Sequence, residues 1–149
     1  RAASSGPEQR PMIAYVDSSV VLRVVLGQPG QLAEWKEITT GIASGLLEVE
    51  CLRTLDRLHL SGQLSGKVSA ARREAVYRII EALELVELTS AVLHRAAQPM
   101  PAPLGTLDAI HLATADMWRE SRGMDLVLAT HDRALALAAR AVGIQTVVD

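Results

Sequence analysis

Ile13-Ala14-Tyr15-Val16-Asp17-Ser18-Ser19 is an apolar run that ends on a carboxylate and then on two hydroxyls. Met12 to Val16 is apolar without a break, too short for a helix and rich in β-formers, so it reads as a buried strand. Either serine can cap a helix beginning near Val20. A carboxylate at the C-terminal end of a strand, beside a helix start, stands where open α/β sheets place their ligands. The function then turns on whether other strands bring acids to the same edge.

Outward from this strand, helices and strands alternate. Ser18–Leu26 reads as a short helix stopped by Gly27 and Pro29-Gly30, and Gln31–Ile38 as a second short helix. Thr40–Ser44 is the second strand. Leu46–Leu60 is a helix whose stripe of Leu47, Cys51, Leu55 and Leu58 has helical spacing, and Ser65–Leu83 is a longer, Arg-rich one. Leu85–Leu88 reads as strand three, and Ser90–Gln98 as a helix capped by Ser90. Three prolines and a glycine make Pro99–Gly105 a loop. Thr106 is expected to cap a helix over Leu107–Glu120, ended by Arg122-Gly123. Leu126–Thr130, a helix over Arg133–Val142 closed by Gly143, and a strand over Ile144–Val148 complete the chain. This order predicts an α/β fold of three layers, α/β/α, with a central mostly parallel sheet of about five strands.

Composition narrows the function classes. The chain has 149 residues, 49% of them apolar, enough for one domain around one core. Phe is absent and aromatics are 3%, so the core rests on Leu, Val, Ile and Ala, and stacking platforms for bases are scarce. Net charge is -2, which excludes a general basic field. Yet residues 52–78 carry Arg53, Arg57, Lys67, Arg72, Arg73 and Arg78 against Asp56 and Glu74 only. Cys51 is the one cysteine, so no intrachain disulfide or multi-cysteine zinc site exists and a reducing, cytoplasmic setting is expected. No apolar run approaches the roughly 20 residues of a membrane span. Residues 1–11 read as a disordered leader or tag remnant, and residues 12–149 as the domain.

Four acids stand at strand-to-helix junctions. Asp17 ends strand one, and Asp132 follows strand four in Ala129-Thr130-His131-Asp132. Asp108 opens the helix after the proline loop, where the helix dipole also favours an acid. Glu48 and Glu50 both lie early in the helix after strand two; they point to nearly opposite sides, so at most one joins a cluster, and the apolar pattern does not choose. In a parallel sheet these junctions open on one edge. Carboxylates gathered there must take up protons or bind cations, and oxygen-only ligands select hard ions, Mg²⁺ or Mn²⁺. Phosphodiester hydrolysis is the chemistry that fits. Plain capping accounts for Asp108 or Asp132 taken singly. Asp116, about 12 Å along the helix from Asp108, reads as a solvated residue. His111, one turn after Asp108, reads as a packed or solvent-bonded histidine before it reads as a base. His59, His94 and His131 lack metal-ligand spacing.

In order along the chain, Tyr15-Val-Asp17-Ser-Ser, Ser44-Gly-Leu-Leu-Glu-Val-Glu50-Cys-Leu-Arg53, Leu107-Asp108-Ala-Ile-His-Leu-Ala-Thr-Ala115 and Ala129-Thr130-His-Asp132 resemble the PIN-domain ribonucleases, specifically VapC-type toxins of toxin–antitoxin pairs. The resemblance implies a PIN-like domain in which Asp17, Glu50, Asp108 and Asp132 are catalytic and hold one or two Mg²⁺ or Mn²⁺ ions. It selects Glu50 over Glu48, because the motif is an acid followed by two apolar residues and Arg. It also implies supporting hydroxyls at Thr130 and Ser18, a homodimer, and a small VapB-like antitoxin partner that blocks the site. Arg53 is the first candidate to orient Glu50 or hold RNA backbone. The segment Trp118–Asp125 is longer than in compact members.

The expected function is thus a metal-dependent endoribonuclease toxin that inhibits translation. A non-catalytic RNA-binding relative would not need four intact acids. A receiver-like signalling domain would need an acidic pair beside strand one and a late lysine, and no lysine follows Lys67.

Overall fold

The computed structural model describes residues 10–148. Residues 1–9 of the expected leader, and Asp149 at the end of the expected domain, lie outside the described residues. The strands are β1 (Met12–Val16), β2 (Ile38–Ser44), β3 (Glu84–Val86), β4 (Val127–Thr130) and β5 (Gln145–Val148). The helices are α1 (Ser18–Val25), α2 (Leu46–Leu60), α3 (Gly66–Glu81), α4 (Ser90–Ala96), α5 (Thr106–Arg122) and α6 (Arg133–Ala141). The five strands form one sheet in the order β3-β2-β1-β4-β5, and every neighbouring pair is parallel.

That order decides where a ligand can sit. The chain winds from β1 through β2 to β3, then returns to place β4 on the other flank of β1. The direction of winding therefore reverses between β1 and β4, and open α/β sheets have their crevice at such a point, outside the C-terminal strand ends. Asp17 directly follows β1, and Asp132 stands two residues past the end of β4.

The core is split by the sheet, as strand alternation requires. Tyr15, Ile42 and Leu128 face Leu112, Trp118 and Leu135 of α5 and α6. Their neighbours Val16, Ala43 and Ala129 face Val20 and Val21 of α1, Leu47, Cys51 and Leu55 of α2, and Val76 of α3. Burial pushes the Cys51 thiol up to about 12, with the charges of Glu50 and Asp17 adding to it, so it serves as a small apolar core residue.

Several boundaries differ from expectation for local reasons. Residues 33–37 form a single 3₁₀ segment (Ala33–Glu37), not an α-helix over Gln31–Ile38; so short a stretch between Pro29-Gly30 and β2 cannot offset α-helix nucleation. The cap of α4 is Thr89, whose hydroxyl accepts from Val92 N, rather than Ser90. Thr106 is the first residue of α5, and Gly105 holds the cap position without a side-chain bond. Trp118–Arg122 belongs to α5 itself, which Gly123 ends in the left-handed region (φ 58°). Trp118 is buried there and its Nε1 donates to Glu84 on β3 (3.3 Å). Asp116 is not a solvated residue: Arg95 (2.9 Å) and Arg119 (2.6 Å) both bond it, tying α4 to α5. Among the described residues no helix is long and apolar enough to cross a membrane.

Candidate active site

The site begins with strand register. Val16 pairs with Ala129, so the next residues, Asp17 and Thr130, stand side by side at the sheet edge. Thr130 Oγ1 donates to Asp17 Oδ2 at 2.5 Å, and Asp132 N donates back to Thr130 Oγ1 at 2.9 Å. Asp17 is only 4% exposed. Its Oδ1 accepts from Val20 N (3.3 Å) and from Ser19 Oγ (2.5 Å). Asp17 itself is therefore the N-cap of α1, a correction to the expectation that Ser18 or Ser19 caps it. The serines support the acids instead. Ser19 Oγ also accepts from His131 N (3.0 Å), linking the first turn of α1 to the β4–α6 turn, and Ser18 points toward Glu50.

Asp132 caps α6 through Oδ1, which accepts from Ala134 N and Leu135 N. Capping and membership of the acid group are compatible, because that carboxylate also meets Asp108 across the crevice. Asp108 is pushed up to about 6 by partial burial first, then by the hydrogen bond and charge of Asp132 and the charge of Asp17, with His111 opposing. Two carboxylates that close share a proton or a cation.

The sign of this shift gives a prediction. A carboxyl whose folded pKa lies above its unfolded value favours the fold fully at low pH and loses that contribution as pH rises through about 6. In the presence of chelator, the stability advantage of Asp108→Asn over the wild type should be small near pH 4 and grow to its full size above pH 6. Urea midpoints of both proteins across that range provide the measurement; a pH-independent difference contradicts the shift.

Glu50 arrives from α2 by another route. Its Oε1 lies 2.6 Å from His111 Nε2, and Ser18 Oγ donates to its Oε2 at 3.4 Å. His111 Nδ1 lies 2.6 Å from the Tyr15 hydroxyl in the core. Burial holds the Tyr15 phenol well above its ordinary range, more than Ser44 and Thr114 lower it, so the hydroxyl keeps its proton and donates. Arg53 does not orient Glu50, contrary to the sequence expectation; it pairs with Asp56 at 2.9 Å, one turn along α2. Arg57 bonds Thr54. Glu48 faces α3, where it accepts from the exposed Tyr77 hydroxyl (3.0 Å).

The structure thus brings Asp17, Asp108 and Asp132 into electrostatic contact and holds Glu50 alongside on His111 and Ser18. Among the described residues, no three acidic, histidine or cysteine side chains lie within common reach of one ion. His111, read from the sequence as a packed histidine before a base, is buried, and what sequence reasoning missed is that it bonds Tyr15 on one side and Glu50 on the other. Beside Glu50 runs a groove of about 340 Å³ lined by Ser18, Val49, Glu50, Arg53, Arg57 and Leu107.

The three-layer parallel fold is shared by known proteins. The family model for the PIN domain matches residues 14–141. The chain belongs to the PIN-domain family. It is 32% identical to Ribonuclease VapC46 of Mycobacterium tuberculosis (strain ATCC 25618 / H37Rv), over 89% of this chain and 95% of that protein. Its fold is similar to a chain in the structure of FitAB bound to IR36 DNA fragment, with a TM-score of 0.68 at 15% identity, covering 91% of this PIN domain and 94% of that chain. A chain in a toxin–antitoxin complex from Klebsiella pneumoniae gives a TM-score of 0.62 at 15% identity, covering 91% and 95%. The PIN family and the VapC relative agree with the resemblance read from the sequence motifs.

Proposed function

We propose that this PIN domain is the endoribonuclease toxin of a toxin–antitoxin pair, hydrolysing RNA phosphodiester bonds with Mg²⁺ or Mn²⁺ and so inhibiting translation. The observation that carries the reading is the acid group at the switch point: a buried Asp17 in charge contact with Asp108, which in turn meets Asp132 across the crevice. The VapC relative carries the word ribonuclease in its name.

The residues fit a hard divalent cation by their chemistry. All donors are carboxylate oxygens, and the Asp108–Asp132 contact calls for positive charge between them. Asp108 and Asp132, already in contact, would hold an ion between them, and Asp17 and Glu50 would complete the set for one or two ions once the side chains draw in, since as they stand no three lie within common reach of one ion. Bound there, such an ion neutralises charge on the scissile phosphate and makes a nearby water more acidic.

The chain's own groups do the rest. Thr130 and Ser19 fix both oxygens of Asp17, so its carboxylate cannot turn away from the crevice. Arg53 and Arg57 line the adjacent groove and are placed to take RNA phosphates. The exposed Arg53–Asp56 pair is worth at most about 1 kcal/mol, so a phosphate can displace Asp56. Val49 and Leu107 are half-exposed apolar residues in the same groove, and they suit the apolar part of a small antitoxin that blocks RNA. A homodimer in the cytoplasm completes the reading.

Purified protein should cut RNA in Mg²⁺ or Mn²⁺, stop when chelator is added, and resume when the cation is restored in excess. Cleavage that continues in chelator removes the metal-dependent mechanism. Absence of cleavage of total RNA with either cation, by protein freed of antitoxin, removes the nuclease reading.

A further inference from the structure

We propose that His111, backed by Tyr15, is a positioning residue for this centre: its Nε2–H clamps the Glu50 carboxylate, and the Tyr15 hydroxyl on Nδ1 stops the ring from turning over. The inference rests on the nuclease reading of the acids, and it assigns His111 no contact with RNA or with the reacting atoms.

The direction of each bond follows from its partner. A carboxylate only accepts, so Nε2 carries the proton on the Glu50 side. The Tyr15 hydroxyl then supplies the proton at Nδ1. Both separations are 2.6 Å, and His111 is 1% exposed. Turning the imidazole over would set carbon where each nitrogen now stands. Two buried polar groups would lose their partners, at about 1–3 kcal/mol each. One tautomer and one ring orientation are therefore fixed from the core side of the sheet.

Glu50 depends on this clamp because its other support is weak. Ser18 reaches it only at 3.4 Å, beyond the usual O–H···O range of about 2.5–3.0 Å. The arginines on its own helix are engaged with Asp56 and Thr54. His111 also lies one turn from Asp108 on α5. The His111–Glu50 bond therefore sets how far the acid from α2 stands from the acid on α5. A histidine that only filled the core would satisfy both nitrogens there; here Nε2 is spent on a site carboxylate that is itself 15% exposed.

The test compares His111→Ala, His111→Gln and Tyr15→Phe with the wild type, using Mn²⁺ affinity from the paramagnetic resonance of free Mn²⁺ and imidazole ¹⁵N shifts at one fixed pH. Groups that orient metal ligands typically set affinity by 10–100-fold. His111→Ala should weaken Mn²⁺ binding by about tenfold or more. His111→Gln, whose amide nitrogen can stand in for Nε2–H, should recover most of it. The wild type should show His111 as a single Nε2–H tautomer, and Tyr15→Phe should mix tautomers and weaken Mn²⁺ a few-fold. A folded His111→Ala protein with wild-type Mn²⁺ affinity overturns the proposal, as does an Nδ1–H tautomer in the wild type. Equal loss of thermal stability in the Ala and Gln variants, with Mn²⁺ affinity unmoved, reduces His111 to a packing role and overturns it too. A wild type that neither binds Mn²⁺ nor cuts RNA removes the nuclease reading instead, and the ¹⁵N signal then judges the clamp alone.

Discussion

Exchanging Asp17 for asparagine is expected to lower RNA cleavage by more than about a hundredfold while leaving the protein folded. Groups that merely orient metal ligands account for about 10–100-fold in affinity or activity, and Asp17 is the most buried and most firmly held of the four acids proposed to bind the cation. Three donors converge on it: Ser19 Oγ, Thr130 Oγ1 and Val20 N. The exchange is close to isosteric. The amide oxygen can take the Oδ1 position and still accept from Val20 N and Ser19 Oγ, and the hydroxyl of Thr130 can rotate to accept from the new NH₂, so the α1 cap and the β1–β4 junction survive. One negative charge beside Asp108 also disappears, which favours the folded state at neutral pH. Cleavage rate and melting temperature together check this: the first should collapse, and the second should hold or rise. Loss of both would mean that Asp17 serves the fold before it serves the chemistry.

Leu47→Ala should have the largest effect on stability without touching a polar group. Leu47 is fully buried on α2, packed in the layer of Val16, Val20 and Cys51, and α2 carries Glu50 three residues further on. Truncating a fully buried leucine costs about 2–5 kcal/mol through lost burial and the cavity left behind. A domain of this size has only about 5–15 kcal/mol in all. The same exchange at Leu60, on the same helix but 74% exposed, should stay within about 0.5 kcal/mol. Urea unfolding of the two variants separates them; equal midpoints would place the core elsewhere.

The fold was legible because its signals are local. An unbroken apolar run before Asp17, the three prolines of the Pro99–Gly105 loop, and the stripe of Leu47, Cys51 and Leu55 each report on their own neighbourhood. Strand order is a different kind of fact. Nothing in β1 or β4 announces that they pair, and only that pairing sets Thr130 against Asp17. Caps were misjudged wherever two candidates stood together, at Asp17/Ser18, Thr89/Ser90 and Gly105/Thr106, since the choice depends on backbone angles one residue apart. Glu50 needed the family pattern; geometry then gives a reason, since Glu48 faces Tyr77 on the outer surface. The Tyr15–His111 pair spans 96 residues, so no spacing could reveal it. A signal did exist: Tyr15 in a buried strand and His111 within the apolar stretch Ala109–Ala115 both carry polar tips that need partners when buried. For the converse reason Arg53 does not orient Glu50: an exposed arginine takes the nearest acid, here Asp56.

The central claim is that acids far apart in the chain form one cation-binding centre. Titrating Mn²⁺ into the wild type, Asp17→Asn and Asp108→Asn at pH 7.5, and following the free-ion resonance signal, tests it most directly. The wild type should remove Mn²⁺ from solution, and each single exchange should abolish that uptake or weaken it by at least about tenfold. Uptake that is unchanged in both variants, or no uptake by the wild type, would contradict it.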